Sequence, residues 1–349
     1  MSNAAAQEVQ PLRRLILGYR LSQALGVAAR LGIADLLKDG PLAVEQLASM
    51  TGVQADPLAR VLRLLTGVGV FREVDPSRFA LTPAAQPLRS DTVPSLRARA
   101  MFNISAAHWA AWGKLFEAVQ TGEPAFERAH GTEVFAYLRS HPDEGALFDA
   151  VMAEGTTYAG EAVTRAYGLD EGAVVVDVGG GAGALLLAFL AANRTAQGIL
   201  YDQPQVVDAA RARFAELGLE ARCRFVAGDF FTGPIPEGGT HYFLKHVLHD
   251  WTDEDCIAIL KQCRAAMSPT ARLVIVEVLL PPPNMASYAL ELDVQMLVLL
   301  RGRERRIEEY ARLITAADLE LTRVVATEGD FSLVEAKRRD NSESAPVRL

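Results

Sequence analysis

The chain has 349 residues, half of them hydrophobic, and a formal net charge of −8 at pH 7. That length allows two or three compact domains with a sizeable core. The acidic balance excludes a general nucleic-acid binder and a protein docked on anionic lipid, because both need a basic surface. Cys223, Cys256 and Cys263 form no CxxC pair and no cluster of zinc spacing. Neither a metal site nor a disulfide framework is therefore expected, and a cytoplasmic setting fits.

The first residues, MSNAAAQEVQPLRR, lack the apolar core of a signal peptide. The longest apolar run, Ala184 to Ala192, is too short to span a bilayer. From Leu12 to about Ala166 nearly every pattern is helical. Ile16 to Leu37 carries apolar residues at helical spacing, and Pro41–Thr51 and Asp56–Leu65 read as two short helices joined at Gly52. An apolar run at Val68–Phe71, a turn at Asp75-Pro76 and Phe79–Leu81 then suggest a hairpin. Helix, turn, helix and hairpin make a winged-helix pattern. Its second helix offers chiefly Arg60 and Arg63 as cations, so a dimerisation or scaffold role is read over DNA binding. From Ala100 to Tyr167 the helices are rich in aromatics and methionine. Most of these read as core, and a few could wall a pocket for a flat ligand.

From Ala173 onward apolar runs alternate with amphipathic segments, the mark of a parallel α/β sheet. Strands are expected at Ala173–Val178, Gly198–Tyr201, Arg224–Ala227, Tyr242–His246, Arg272–Val278, Leu321–Ala326 and Phe331–Ala336. Helices are expected at Ala184–Ala192, Pro204–Leu217, Asp253–Met267, Ser287–Leu300 and Ile307–Ala317. The domains read as 1–100 winged helix, 101–168 helical linker and pocket region, 169–338 Rossmann-like α/β domain, and 339–349 loose tail.

The first strand of that domain ends in Gly179-Gly180-Gly181-Ala182-Gly183 and runs into a helix. Glycines there let the backbone approach a ligand, and the helix start leaves N–H groups free. The spacing Gly179-x-Gly181-x-Gly183 is tighter than the dinucleotide pattern GxGxxG. Asp202 closes the second strand and suits a ribose diol. Asp229 and Phe230 end the third, a carboxylate for an adenine amino group and a ring to pack on adenine. Loop and two strand-end acids, in that order, point to a nucleoside ligand. For Asp229 the alternative is a side chain capping its own turn.

After the fourth strand comes Leu244-Lys245-His246-Val247-Leu248-His249-Asp250-Trp251, later followed by Gly302-Arg303-Glu304-Arg305. Together with Asp177-Val178-Gly179-Gly180-Gly181, Tyr201-Asp202-Gln203-Pro204, Gly228-Asp229-Phe230-Phe231 and Asp253-Glu254-Asp255-Cys256, this ordered set resembles the plant-type small-molecule O-methyltransferases, a family that includes bacterial antibiotic-tailoring enzymes. The resemblance covers nearly the whole chain. It implies a class I S-adenosylmethionine methyltransferase (Rossmann-like) sheet, an N-terminal winged-helix dimerisation domain, S-adenosyl-L-methionine as cofactor, a homodimer, and methyl transfer to a hydroxyl of a small aromatic substrate.

A phenol ionises near pH ~10, so a neighbouring base helps at neutral pH. The family places that base at His249, with Glu277 and Glu304 as flanking glutamates; the three form the expected catalytic set. The cofactor set is Gly179, Gly181, Asp202, Asp229, Phe230, Lys245 and Trp251. The substrate set is Trp109, Phe148, Met152, Thr156, Asp250, Met296 and Leu300. His246 and His241 read as structural or supporting. Two departures, Arg306 where plant members have threonine and Ala317-Asp318-Leu319 in place of A-G-F, favour a bacterial secondary-metabolite member. The alternatives are hydroxylase, decarboxylase or pericyclase chemistry on the same fold, or a non-enzymatic winged-helix sensor.

Overall fold

The computed structural model describes residues 11–339, with the side chains of 153–158 left out. The expected tail at 339–349, apart from Arg339, and the Thr156 side chain lie outside the described residues. The chain divides into two compact units, residues 1–113 with 135–155 and residues 114–134 with 156–349.

In the first unit, α1 (Gly18–Arg30) is followed by a one-turn helix, Ile33–Leu36. The single helical pattern expected from Ile16 to Leu37 is broken at Gly32, whose φ of +65° is left-handed. Strand β1 (Leu42–Ala43) leads into α2 (Val44–Thr51) and α3 (Ala55–Thr66). In α3, Leu58, Ala59, Leu62 and Leu65 are buried, a stripe at helical spacing. Strands β2 (Phe71–Asp75) and β3 (Arg78–Leu81) follow, and the small antiparallel sheet runs β1-β3-β2. The expected first hairpin strand, Val68–Phe71, starts instead at Phe71: Gly69 is left-handed and the Val70 N–H bonds the Leu65 carbonyl, so 67–70 is a turn. Arg63 is held by Glu73 at 3.2 Å and by Ser77 at 3.0 Å. Short helices and the start of α4 (Pro142–Ala166) complete the unit.

The second unit carries a seven-stranded sheet: β4 (Val174–Val178), β5 (Gln197–Asp202), β6 (Cys223–Ala227), β7 (His241–Lys245), β8 (Arg272–Val278), β9 (Leu319–Ala326) and β10 (Phe331–Arg338). Their order is β6-β5-β4-β7-β8-β10-β9. The first five are mutually parallel, but β10 is antiparallel to both β8 and β9, so the sheet is mixed rather than wholly parallel. Only four residues join β9 to β10, room for a hairpin and not for a parallel crossover. Strand β7 ends one residue earlier than expected, since His246 has a φ of +51° and leaves the sheet.

Alternation along the central strands sorts their side chains between two cores. Val175, Phe243, Val274 and Val276 pack with α5 (Ala184–Ala192) and α6 (Pro204–Glu216). Val176, Leu244, Leu273 and Ile275 pack with α7 (Asp253–Ala266) and α9 (Ile307–Ala316). Helix α8 (Tyr288–Leu299) stands between β8 and α9 in sequence. Cys256 and Cys263 are fully buried in α7 as small hydrophobes. By the same period of two, Asp177 and Lys245 share the face of Val175 and Phe243, and Glu277 shares the face of Ile275. The strands reverse order at β4, and the C-terminal ends of β4 and β7 flank that switch point, where open α/β sheets bind ligands.

Candidate active site

The glycine turn after β4 has left-handed backbone at Gly179, Gly181 and Gly183. A Cβ on Gly179 would meet Val247 at 2.9 Å, whereas nothing lies within 4 Å of one on Gly181, so the main chain there borders open space. The Gly181 N–H donates to Asp202 at 2.8 Å, which joins the turn to the end of β5. Each carboxylate oxygen accepts more than one hydrogen bond, so Asp202 keeps acceptor capacity for a diol. Burial pushes the Asp202 pKa up. Asp229 is exposed; one oxygen takes the Phe231 N–H at 2.8 Å and the other the Thr232 hydroxyl at 3.2 Å. It does cap its own turn while keeping lone pairs open. Phe230 lies beside the glycine turn and meets Trp251 edge-on at 6.0 Å; Phe231 meets Trp251 at 4.7 Å. Lys245 sits 5.4 Å from the Phe331 ring, and burial lowers its pKa. Asp177 is buried with one oxygen unpartnered, and burial raises its pKa to about 7 against the pull of Lys245.

A methyl-donating nucleoside fits this set. Open main chain at Gly181, acceptor capacity on Asp202 and Asp229, an aromatic pair at Phe230 and Trp251, and one buried, unpartnered carboxylate oxygen on Asp177 all belong to the sheet's C-terminal end.

The second constellation surrounds the turn 246–251. Glu277 Oε1, at the end of β8, accepts three main-chain N–H groups, from Val247 at 3.2 Å, Leu248 at 3.0 Å and His249 at 3.4 Å. A carboxylate filling such a nest of donors holds the turn in shape. Its other oxygen is 3.8 Å from His249 Nδ1, and Glu304 Oε1 is 2.7 Å from the same nitrogen. Asp250 lies 3.3 Å from Nε2. His249, Glu277 and Glu304 are all buried. Burial opposes charge on His249, yet Glu277, Asp250 and Glu304 push its pKa up to about 10. Burial raises Asp250 to about 6 and Glu277 to about 7, each opposed by the His249 charge.

His246, His249 and Glu277 also form the one group among the described residues whose possible metal-ligand atoms lie within 4.8 Å of one another. The two imidazoles stack at 4.4 Å and 29°, and His249 Nδ1 is committed to Glu304. Stacked rings do not aim their nitrogens at one centre, so the group reads as an ion-paired base with a supporting ring.

Arg305 was not among the expected site residues, although its sequence run was. Its fully buried guanidinium donates to the carbonyls of Leu248 at 2.9 Å and Trp251 at 2.8 Å, and to Asp253 at 2.9 Å. A Cβ on Gly302 would fall on the His249 carbonyl. Segment 301–306 is therefore laid directly against the histidine turn. Spacing gives no sign of this, because the two stretches lie more than fifty residues apart.

The expected substrate residues fall in both units. Trp109, Phe148 and Met152 belong to the first. Trp109 and Met152 are part-exposed, and Phe148 packs against Phe102 at 5.8 Å and Phe135 at 6.2 Å. Asp250, Met296 and Leu300 belong to the second, with Met296 nearly buried.

Residues 112–320 match the O-methyltransferase domain family, and residues 13–91 match the O-methyltransferase dimerisation domain. The chain is 43% identical over 326 residues to the phenazine O-methyltransferase PhzM of Lysobacter antibioticus, covering 93% of this chain and 95% of that protein. It is 36% identical over 340 residues to the mitomycin biosynthesis 6-O-methyltransferase of Streptomyces lavendulae, covering 97% and 96%. The crystal structure of CalO1, a methyltransferase in calicheamicin biosynthesis solved in its SAH-bound form, superposes with a TM-score of 0.85 at 34% identity, covering 97% of this chain and 99% of that one. The chain thus belongs to the O-methyltransferase family with its N-terminal dimerisation domain, and is an S-adenosylmethionine-dependent methyltransferase of the class I fold.

Proposed function

We propose that the enzyme methylates a hydroxyl of a small aromatic secondary metabolite, with His249 as the general base. The observation that carries the proposal is the buried imidazole with Glu304 on one nitrogen and Asp250 beside the other. The relatives named for phenazine and mitomycin tailoring support an aromatic acceptor.

The bound cofactor supplies a methyl group on a positively charged sulfur. Gly179, Gly181, Asp202, Asp229, Phe230, Lys245 and Trp251 are proposed to hold it. Glu304 occupies Nδ1 of His249 and so presents Nε2 to the acceptor. The acceptor O–H bond breaks as an N–H bond forms at Nε2; the oxygen pair so freed would take the methyl, and the carbon–sulfur bonding pair would stay on the sulfur, which leaves uncharged. Glu277, Glu304 and Asp250 then stabilise the imidazolium. Glu277, Asp250 and Glu304 raise the affinity of His249 for a proton, which favours its taking one from a phenol once the ring is neutral. Trp109, Phe148, Met152, Thr156, Met296 and Leu300 are proposed as substrate contacts.

The domain boundaries proposed are 1–100 for dimerisation, 101–168 for the helical linker and 169–338 for the α/β domain. Residues 13–91 support a homodimer. Among the described residues no helix is long and apolar enough to cross a membrane, and three free thiols support action in the cytoplasm.

His249→Ala tests the base. Turnover is expected to fall about 10²- to 10⁴-fold while calorimetry shows cofactor affinity close to the parent's. Unchanged turnover would remove His249 from the proton transfer.

A further inference from the structure

Glu304 reaches His249 Nδ1 with one oxygen at 2.7 Å, while its other oxygen is buried without a hydrogen-bond partner. No second side-chain bond therefore fixes where this carboxylate sits. Its position is left to the main chain at residue 304. There the N–H of Glu304 donates to Oδ1 of Asp293 at 2.9 Å. Asp293 is half-buried in α8, one turn before Met296, so these two share one helix face, and Leu300 follows directly on the helix end. The next residue is also tied down: the Leu280 N–H donates to the Arg305 carbonyl at 3.1 Å. Arg305 itself braces the histidine turn, not the Glu304 carboxylate. Asp293 is thus the direct anchor of Glu304's own peptide.

We propose that Asp293 is a positioning residue for methyl transfer. It registers Glu304 to His249 through the main chain, and ties the base to the helix that carries the proposed contact Met296 and leads into Leu300. The effect on turnover rests on His249 acting as base; the effect on the imidazole does not.

The charged and titratable groups around His249 are Glu277 from β8, Glu304 from 301–306, and Asp250 and His246 from its own turn; Tyr310 faces both glutamates with Arg305 beside it, and Lys245 faces Glu277 from β7. Loosening Glu304 alone among these should lower the affinity of His249 for its proton, because the carboxylate stabilises the charged ring.

The test follows the His249 ring by nitrogen-labelled NMR across pH in the full chain, with His249→Ala and His246→Asn used for assignment. The pH profile of turnover and the calorimetric cofactor affinity are measured alongside. Asp293→Ala should titrate His249 at lower pH and lose about 10- to 100-fold in turnover, with cofactor affinity kept. Asp293→Asn retains an acceptor for the same N–H and should restore both readouts. Should the alanine variant not fold, Asp293→Glu, which moves the acceptor by one methylene, makes the same comparison. A parent-like imidazole titration in the alanine or glutamate variant overturns the proposal, even if turnover falls, since the residue is then merely structural. If His249→Ala keeps its turnover, the base assignment fails, and the imidazole titration still judges Asp293.

Discussion

His249 is surrounded by three carboxylates in a place water barely reaches, and this makes its charge the residue-scale question. In its proposed role as base the ring must be neutral to take a proton, while this environment favours the charged form. Activity should therefore rise with pH, with an acid limb in kcat/KM above the ordinary histidine value of about 6.5. Glu304→Gln removes a charge from Nδ1 and should move that limb downward; a limb that stays in place would show that Glu304 does not bear on the imidazole. Stability has the matching sign. Just below pH 6.5 the ring is charged in folded and unfolded chains alike, and the contribution of its raised pKa is then largest. That contribution fades as pH rises toward about 10. The gap in Tm between the parent and His249→Gln should shrink over the same window, and a constant gap would contradict the raised pKa.

At the scale of elements, the active turn is a short piece of chain held from two sides. Glu277 gathers its N–H groups, and Arg305 gathers its carbonyls. Glu277→Leu would leave three buried donors without a partner at about 1–3 kcal/mol each, an upper range that local rearrangement reduces. Glu277→Gln keeps an acceptor and should cost much less, so denaturant melts of the pair separate turn-holding from charge. Gly302 lets segment 301–306 lie on the His249 main chain. Its backbone is not left-handed, so the cost of Gly302→Ala is steric, not conformational. Overpacking there should destabilise by about 1–3 kcal/mol and lower turnover. A variant with parent stability and activity would mean that the two segments separate easily.

At the scale of the whole molecule, Leu12, Leu15, Ile16 and Tyr19 are more than half exposed and recur at helical spacing, at the start of the segment matching the dimerisation domain. An apolar stripe of this kind on a free chain calls for a partner surface. Leu15→Glu with Ile16→Glu should shift sedimentation toward the monomer at micromolar concentration, and an unchanged dimer would place the interface elsewhere. Much of this molecule was legible in its sequence. The strands and helices from 174 to 338 follow from apolar runs set between turn residues, and local periodicity carries that information. The glycine turn and the His-Asp-Trp run stand out in the sequence because the roles proposed for them fall on adjacent residues. The mixed sheet was less legible, since strand direction depends on which edge a hairpin joins. The clasp on the histidine turn could not be read at all. Gly302 and Arg305 act on residues some fifty to sixty positions away and Asp293 on a main-chain N–H eleven away, and a hydrogen bond made to a main-chain atom leaves no pattern in the side chains it serves. Residue spacing thus determined the elements, the resemblance of the ordered motifs pointed to the kind of chemistry, and only the tertiary structure decided which main chain each buried charge holds, because such contacts depend on how distant segments pack.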